Sequence, residues 1–281
     1  LGERKRRREK FFAKNSHCCF CGGKSLAVEI DHQPPKIFFV EKSSPRELRF
    51  PSCQKCNRSS RALDLIFAFV SRFDPTGKFT EDYSEIDRMI RALHNNYPTT
   101  KPYFISDREK RRSLRNLDVL KPQGLLWRDV PMVGFNDNVG KIVDLSLAKL
   151  AVGLYYLYLK KIAPIGSKIV TIAERDILLK KPVQIDILGI KFEEFLLFKN
   201  PNKLAEQQLG ISLSYNSREK FFGAKIRVNQ SILSTVAIFD SESSQTEELS
   251  ADYIISDQGF PWGIDLEDLL KGKPGDTYYV D

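Results

Sequence analysis

Two sets of residues near the start of the chain have types and spacings that could do chemistry. Cys18-Cys19-Phe20-Cys21 contains one Cys-x2-Cys pair, and Cys53-Gln54-Lys55-Cys56 contains a second. Thiolates from two such knuckles make a closed tetrahedral site of the kind that holds structural zinc. Such a site has no open position, so its work is to hold the chain. Gly22 and Gly23 follow Cys21 where the knuckle turns back, and glycine accepts positive φ without a Cβ penalty. Four ordinary buried cysteines are the competing reading, and the double spacing argues against it. Cys19 is left over as a packed or exposed thiol. It could instead replace Cys18 as a ligand, and His17 is near enough to substitute as well.

Asp31 and His32 stand side by side between the knuckles, ahead of Pro34 and Pro35, and Asn57 follows the second knuckle directly. A metal that joins Cys21 to Cys56 brings a strand end carrying Asp31 and His32 beside a helix start carrying Asn57. Two oxygen donors around a neutral imidazole suit a divalent cation and a phosphate. Each residue also has a plainer role: a packed polar histidine, a turn-forming aspartate, an N-capping asparagine. Lys36, Lys55, Arg58 and Arg61 are candidate phosphate contacts around this point, although charged helix faces are common. His94 falls in an amphipathic helical stretch far from any motif and reads as structural.

The order Cys-x2-Cys, Asp-His, Cys-x2-Cys-Asn resembles the zinc-containing branch of the HNH nuclease family, whose active unit is the ββα-metal fold. The stretch "DHQPPKIFF" is further similar to bacterial HNH-like proteins in which an acidic residue and a His precede two prolines, a Lys and an aromatic. The resemblance covers about residues 15–75. It implies that His32 is the general base, and that Asp31 and Asn57 hold a catalytic cation, most often Mg2+. It implies a phosphodiester hydrolase, DNA favoured over RNA as target, and a setting in restriction or phage defence. A neutral His suits a base working near pH 7, because its unperturbed pKa is about 6.5. One departure stands out. The family usually has an Asn ahead of the second knuckle, whereas no Asn lies between Gln33 and Cys56, and Glu47 or Leu48 takes that place.

The elements that must position these residues follow from periodicity and breakers. Residues 4–14 read as a basic helix, 15–24 as a Cys/Gly turn, "SLAVEIDH" as a strand, and 36–50 as a second strand that pairs back on it. Leu63, Ile66, Phe67 and Val70 recur at helical spacing within 57–73. Two polar helices are expected next, over "TEDYSEIDRMIRALHNN" and "SDREKRRSLRNLDVL". Residues 137–162 form the most apolar helix pattern, and "SKIVTIA", "LGISLSYN", "GAKIRVNQ" and "LSTVAIFD" read as strands, the last three as an antiparallel meander. The expected class is α+β: a basic HNH-like unit over 1–75, a helical connector over 76–121, and a C-terminal α+β domain over 122–281 whose role no motif reveals.

Charge placement supports a polyanionic partner. Residues 1–61 hold 15 Lys/Arg against 6 Asp/Glu, while the remainder is nearly balanced, within a chain of net charge +8. The chain's beginning is charged from its third residue without an apolar signal segment. The longest apolar run, Leu150–Leu159, is about half the length a membrane-spanning helix needs. All five cysteines precede residue 57 and their number is odd, which favours metal over disulfides. The expectation is a cytoplasmic protein with nucleic acid and no membrane as partner; homo-oligomerisation stays open. The alternative function is a non-catalytic zinc-finger protein that binds nucleic acid, and a third is a toxin-like RNase using the same residues.

Overall fold

The structure, a computed structural model, describes residues 2–39, 44–72, 83–97, 137–174, 208–229, 232–243 and 250–271, with the short strands at 103–104, 133–134 and 193–194. The expected helix over 106–120 lies outside the described residues. Helix α1 (Gly2–Lys14) leads into the first knuckle. Strand β1 (Glu29–His32) then pairs antiparallel with β2 (Arg49–Ser52), so that Asp31 stands opposite Phe50 and His32 opposite Arg49. The partner strand is shorter than the expected 36–50 stretch. A 3-10 turn at Lys36–Phe38 occupies its start, after the prolines. Pro51 sits within β2, and its carbonyl accepts from the Cys19 amide at 3.0 Å, which ties the knuckle to the hairpin.

The helix expected from Asn57 starts earlier and is split in two. It runs as α2 (Gln54–Ser59) and α3 (Arg61–Ser71), with Ser60 between them. Cys53, not Asn57, is the N-cap, because its Sγ accepts from the Cys56 amide. This moves Asn57 into the body of α2. The apolar stripe of α3 is buried as its spacing predicts, and Phe67 stacks on Phe38 of the 3-10 turn with ring centres 5.7 Å apart. Helix α4 (Tyr83–Asn96) follows α3, and β3 (Tyr103–Phe104) pairs with β4 (Val133–Gly134).

Helix α5 (Asp137–Leu159) is the organiser of the fold. Ile142, Leu145, Leu147, Leu150, Ala151, Val152 and Leu154 are all buried, so it needs cover on every side. By length and composition it could cross a membrane, but its burial is that of a core helix. One face meets a six-stranded antiparallel sheet of β5 (Lys168–Glu174), β6 (Glu193–Glu194), β7 (Leu209–Asn216), β8 (Phe221–Val228), β9 (Ile232–Phe239) and β10 (Tyr253–Ile254), in the order β10-β5-β9-β8-β7-β6. The expected meander is β7-β8-β9, and Tyr155 of α5 meets Phe222 of β8 edge-on at 5.4 Å. The other face of α5 meets the hairpin. A Cβ on Gly153 would lie 2.9 Å from the Phe50 ring, so only glycine lets α5 come this close to β2. Helix α6 (Leu266–Lys271) closes the described chain. One apolar core therefore runs from Cys18 through α5 to Leu269, across the boundary expected near residue 121.

Candidate metal centre and hairpin site

The two knuckles converge. The ligand atoms of Cys18, Cys21, Cys53 and Cys56 lie within 4.8 Å of one another. Four thiolates at the usual Zn–S length of about 2.3 Å would stand about 3.8 Å apart, so a small closure of this cluster fits zinc. Cys19 is buried outside the cluster, and burial pushes its thiol up, as does the nearby Cys18. His17 is also outside it, exposed and bonded through Nδ1 to the Ser16 hydroxyl. The thiols of Cys18, Cys21 and Cys56 hydrogen-bond one another. The hydrogen bond with Cys21 pushes the Cys18 thiol up to about 12, whereas bonds from Cys18 and then Cys56 pull the Cys21 thiol down to about 2. A metal must displace the thiol protons, so binding weakens as pH falls.

Backbone amides point at the sulfurs. The amides of Phe20, Cys56 and Phe260 donate to Cys18 Sγ, Cys53 Sγ and Cys56 Sγ at 3.4, 3.5 and 3.3 Å. The third comes from 204 residues further along the chain. The Trp262 indole N–H also donates to Phe20 O at 2.8 Å, so the segment at 259–262 covers the cluster. Gly259 makes this approach possible. Its φ is +78°, and a Cβ there would lie 2.7 Å from Cys56 Sγ. Gly259→Ala is expected to destabilise the zinc-loaded chain by about 2–4 kcal/mol, from left-handed strain plus overpacking. Urea unfolding reads this as a lower midpoint, and an unchanged midpoint would contradict the contact.

Asp31 is 2 % exposed, and its carboxylate has protein partners on both oxygens. Lys149 Nζ donates to Oδ2 at 2.6 Å and Gln33 Nε2 to Oδ1 at 3.1 Å. The expected cation ligand is thus the counterion of a buried lysine. Alternation along β1 explains this: Asp31 points toward α5, which brings its own charge. Lys149 is fully buried and donates also to Ser60 Oγ at 2.8 Å and Cys56 O at 3.3 Å, so all three ammonium protons have acceptors. The rings of Phe20 and Phe260 lie 4.9 and 4.7 Å from Nζ. Burial lowers the affinity of Lys149 for its proton, but Asp31 and Asp64 outweigh burial and raise it. Asp64 Oδ2 lies 3.3 Å from Ser60 Oγ, and burial pushes the Asp64 carboxyl up to about 7. The set is therefore close to neutral: one ammonium, one carboxylate and one carboxyl that keeps its proton up to about pH 7.

Asn57 and His32 reach the surface. Asn57 Nδ2 donates to Glu29 Oε2 at 2.5 Å, and Arg58 Nε lies 3.8 Å from Glu29 Oε1. Glu29 is the acidic neighbour of Asn57 that sequence reasoning did not single out; its place two residues before Asp31, on the same face of β1, is the signal that could have found it. His32 is half-buried at the end of β1. Burial lowers its pKa to about 4, and the positive charges of Lys36 and Arg49 lower it further, with Asp31 opposing. The imidazole is therefore neutral from pH 5 upward. Lys36, Lys55, Arg58 and Arg61 are all exposed, and Arg49 beside His32 joins them. Comparison of the chain with protein-family models, with curated proteins and with solved structures gave no match.

Proposed function

We propose that this chain is a divalent-cation-dependent endonuclease of the HNH type, hydrolysing phosphodiester bonds in nucleic acid, with DNA favoured over RNA. The observation that carries the reading is the place of half-buried His32, at the end of β1 opposite Arg49, on a hairpin flanked by two knuckles whose four cysteine sulfurs converge. A neutral imidazole can take a proton from water, and two cations beside it attract a phosphate. His32 would be the general base. Asn57 would hold the cation through its side-chain oxygen, joined by the half-buried Glu29 once the cation replaces the bond from Asn57 Nδ2, whereas Asp31 is buried and tied to Lys149. A bound divalent cation supplies charge stabilisation to the departing 3′ oxygen. A role in restriction or phage defence belongs to this reading through the resemblance alone.

Supercoiled plasmid with Mg2+ or Mn2+ tests it. The wild-type chain is expected to nick, His32→Ala to lose at least about 100-fold in rate, the usual scale of a missing general base. Nicking that survives His32→Ala would remove the proposal. The buried Asp31–Lys149 pair favours a second reading, a zinc-held nucleic-acid binder without catalysis, because it takes away one expected cation ligand. Tight binding with no cleavage in either cation would select that reading. Labelled RNA in the same assay separates a nuclease acting on RNA.

A further inference from the structure

Seven of the thirteen residues of α1 are Lys or Arg. Three of them have partners within the chain. Arg7 pairs with Glu3, and Lys5 lies 3.9 Å from Glu9. Arg8 donates to Val28 O at 2.6 Å and stacks over the Phe12 ring at 5.5 Å. Just past the helix, Asn15 Oδ1 accepts from the Tyr156 hydroxyl of α5 at 2.5 Å. Arg8, Phe11, Phe12 and Asn15 follow the i, i+3, i+4, i+7 pattern, so they mark the face turned to the protein. Arg6, Lys10 and Lys14 fall on the opposite face, four residues apart, which is about 6 Å per step along the axis. All three are exposed and carry no ion pair among the described residues.

We infer that α1 is an arm that grips the sugar–phosphate backbone of a nucleic acid through Arg6, Lys10 and Lys14. A fixed row of free cations gains from a polyanion because binding releases its condensed counterions. The row continues in sign with the exposed Lys36, Arg49, Lys55 and Arg58 of the hairpin and α2. The arm is also fastened near the candidate site: Val28 precedes β1, and four residues at about 3.3 Å each put His32 about 13 Å further on. A membrane surface fits poorly, because an interfacial helix needs an apolar outer face and Phe11 and Phe12 are turned inward against each other and Arg8. The inference rests on nucleic acid being the substrate of the proposed nuclease, and it assigns the residues that hold the backbone away from His32.

The zinc-loaded full chain and Arg6→Gln/Lys10→Gln/Lys14→Gln test it by fluorescence anisotropy with a labelled 20-bp DNA duplex and its RNA counterpart. The slope of log affinity against log salt is expected to shrink by about 2.7, at about 0.9 per lost phosphate contact on DNA. A control with Lys160→Gln/Lys161→Gln/Arg218→Gln is expected to keep the wild-type slope. Equal slopes for the wild type and the α1 variant would overturn the arm, as would wild-type binding to phosphatidylserine vesicles in place of either duplex. A wild-type chain that binds duplex with the expected slope difference yet never cleaves leaves the arm standing and removes the nuclease. His32-dependent cleavage with an unchanged α1 variant removes the arm and leaves the nuclease.

Discussion

Stripping the metal is expected to unfold the chain well beyond the knuckles. Structural zinc held by thiolates contributes about 10–16 kcal/mol of apparent folding free energy at pH 7. A typical domain has only about 5–15 kcal/mol in total, so the zinc-free chain should not keep its fold. The reason it reaches far is that the cluster is the meeting point of three distant stretches. The first knuckle, the second knuckle and the segment at 259–262 all bond to sulfur or to the knuckle backbone. The same apolar core then runs on into α5 and the sheet. A chelator, or Cys56→Ser, should abolish the cooperative thermal transition seen by circular dichroism, with zinc content falling from one per chain. A zinc-free chain that melts like the loaded one would show that the sulfurs are merely packed thiols.

Lys149→Met is expected to cost about 3–5 kcal/mol, because it leaves the Asp31 carboxylate buried without its partner. Asp31→Asn should cost a similar amount for the converse reason. The double change Lys149→Met with Asp31→Leu should regain most of the loss, since removing both charges removes the unpaired one. Urea unfolding of the three variants measures the coupling. The result separates two jobs for Asp31. A carboxylate free to hold a catalytic cation would lose little when Lys149 is removed. Loss of nicking in the double variant with stability restored would return Asp31 to the catalytic site.

Some of this was legible in the residues and some was not, for identifiable reasons. The cysteine cluster was legible because knuckle spacing is local and strict. The meander was legible because β7, β8 and β9 alternate or run apolar between short polar links, and α5 because its apolar pattern is long. The role of Asp31 was not, because its partner lies 118 residues away. The clue was present as Lys149, set between Leu147-Ala148 and Leu150-Ala151 in the apolar middle of α5, where burial obliges an ammonium to find an acid. The cover over the sulfurs was hidden too: the stretch around Gly259 has no period, and its fit depends on a missing Cβ. The split at Ser60 escaped notice because Ser60 turns its hydroxyl to Asn57 O, a local bond that competes with the helix ladder. His32 was singled out by its neighbours in sequence, but its lowered pKa comes first from burial, then from Lys36 and from Arg49 across the hairpin.

That lowered pKa also has a sign for stability. The unfolded imidazole binds a proton at higher pH than the folded one, so stability is full above about pH 6.5 and is lost as pH falls toward about 4. Catalysis should follow the same group. The most direct measurement is the single-turnover nicking rate of the zinc-loaded chain with saturating Mn2+, from pH 5 to pH 8, beside His32→Ala. The account predicts cleavage across this range with no loss of the base near pH 6.5, and no cleavage in the variant at any pH. Absence of nicking by the wild type throughout, or equal nicking by His32→Ala, would contradict it.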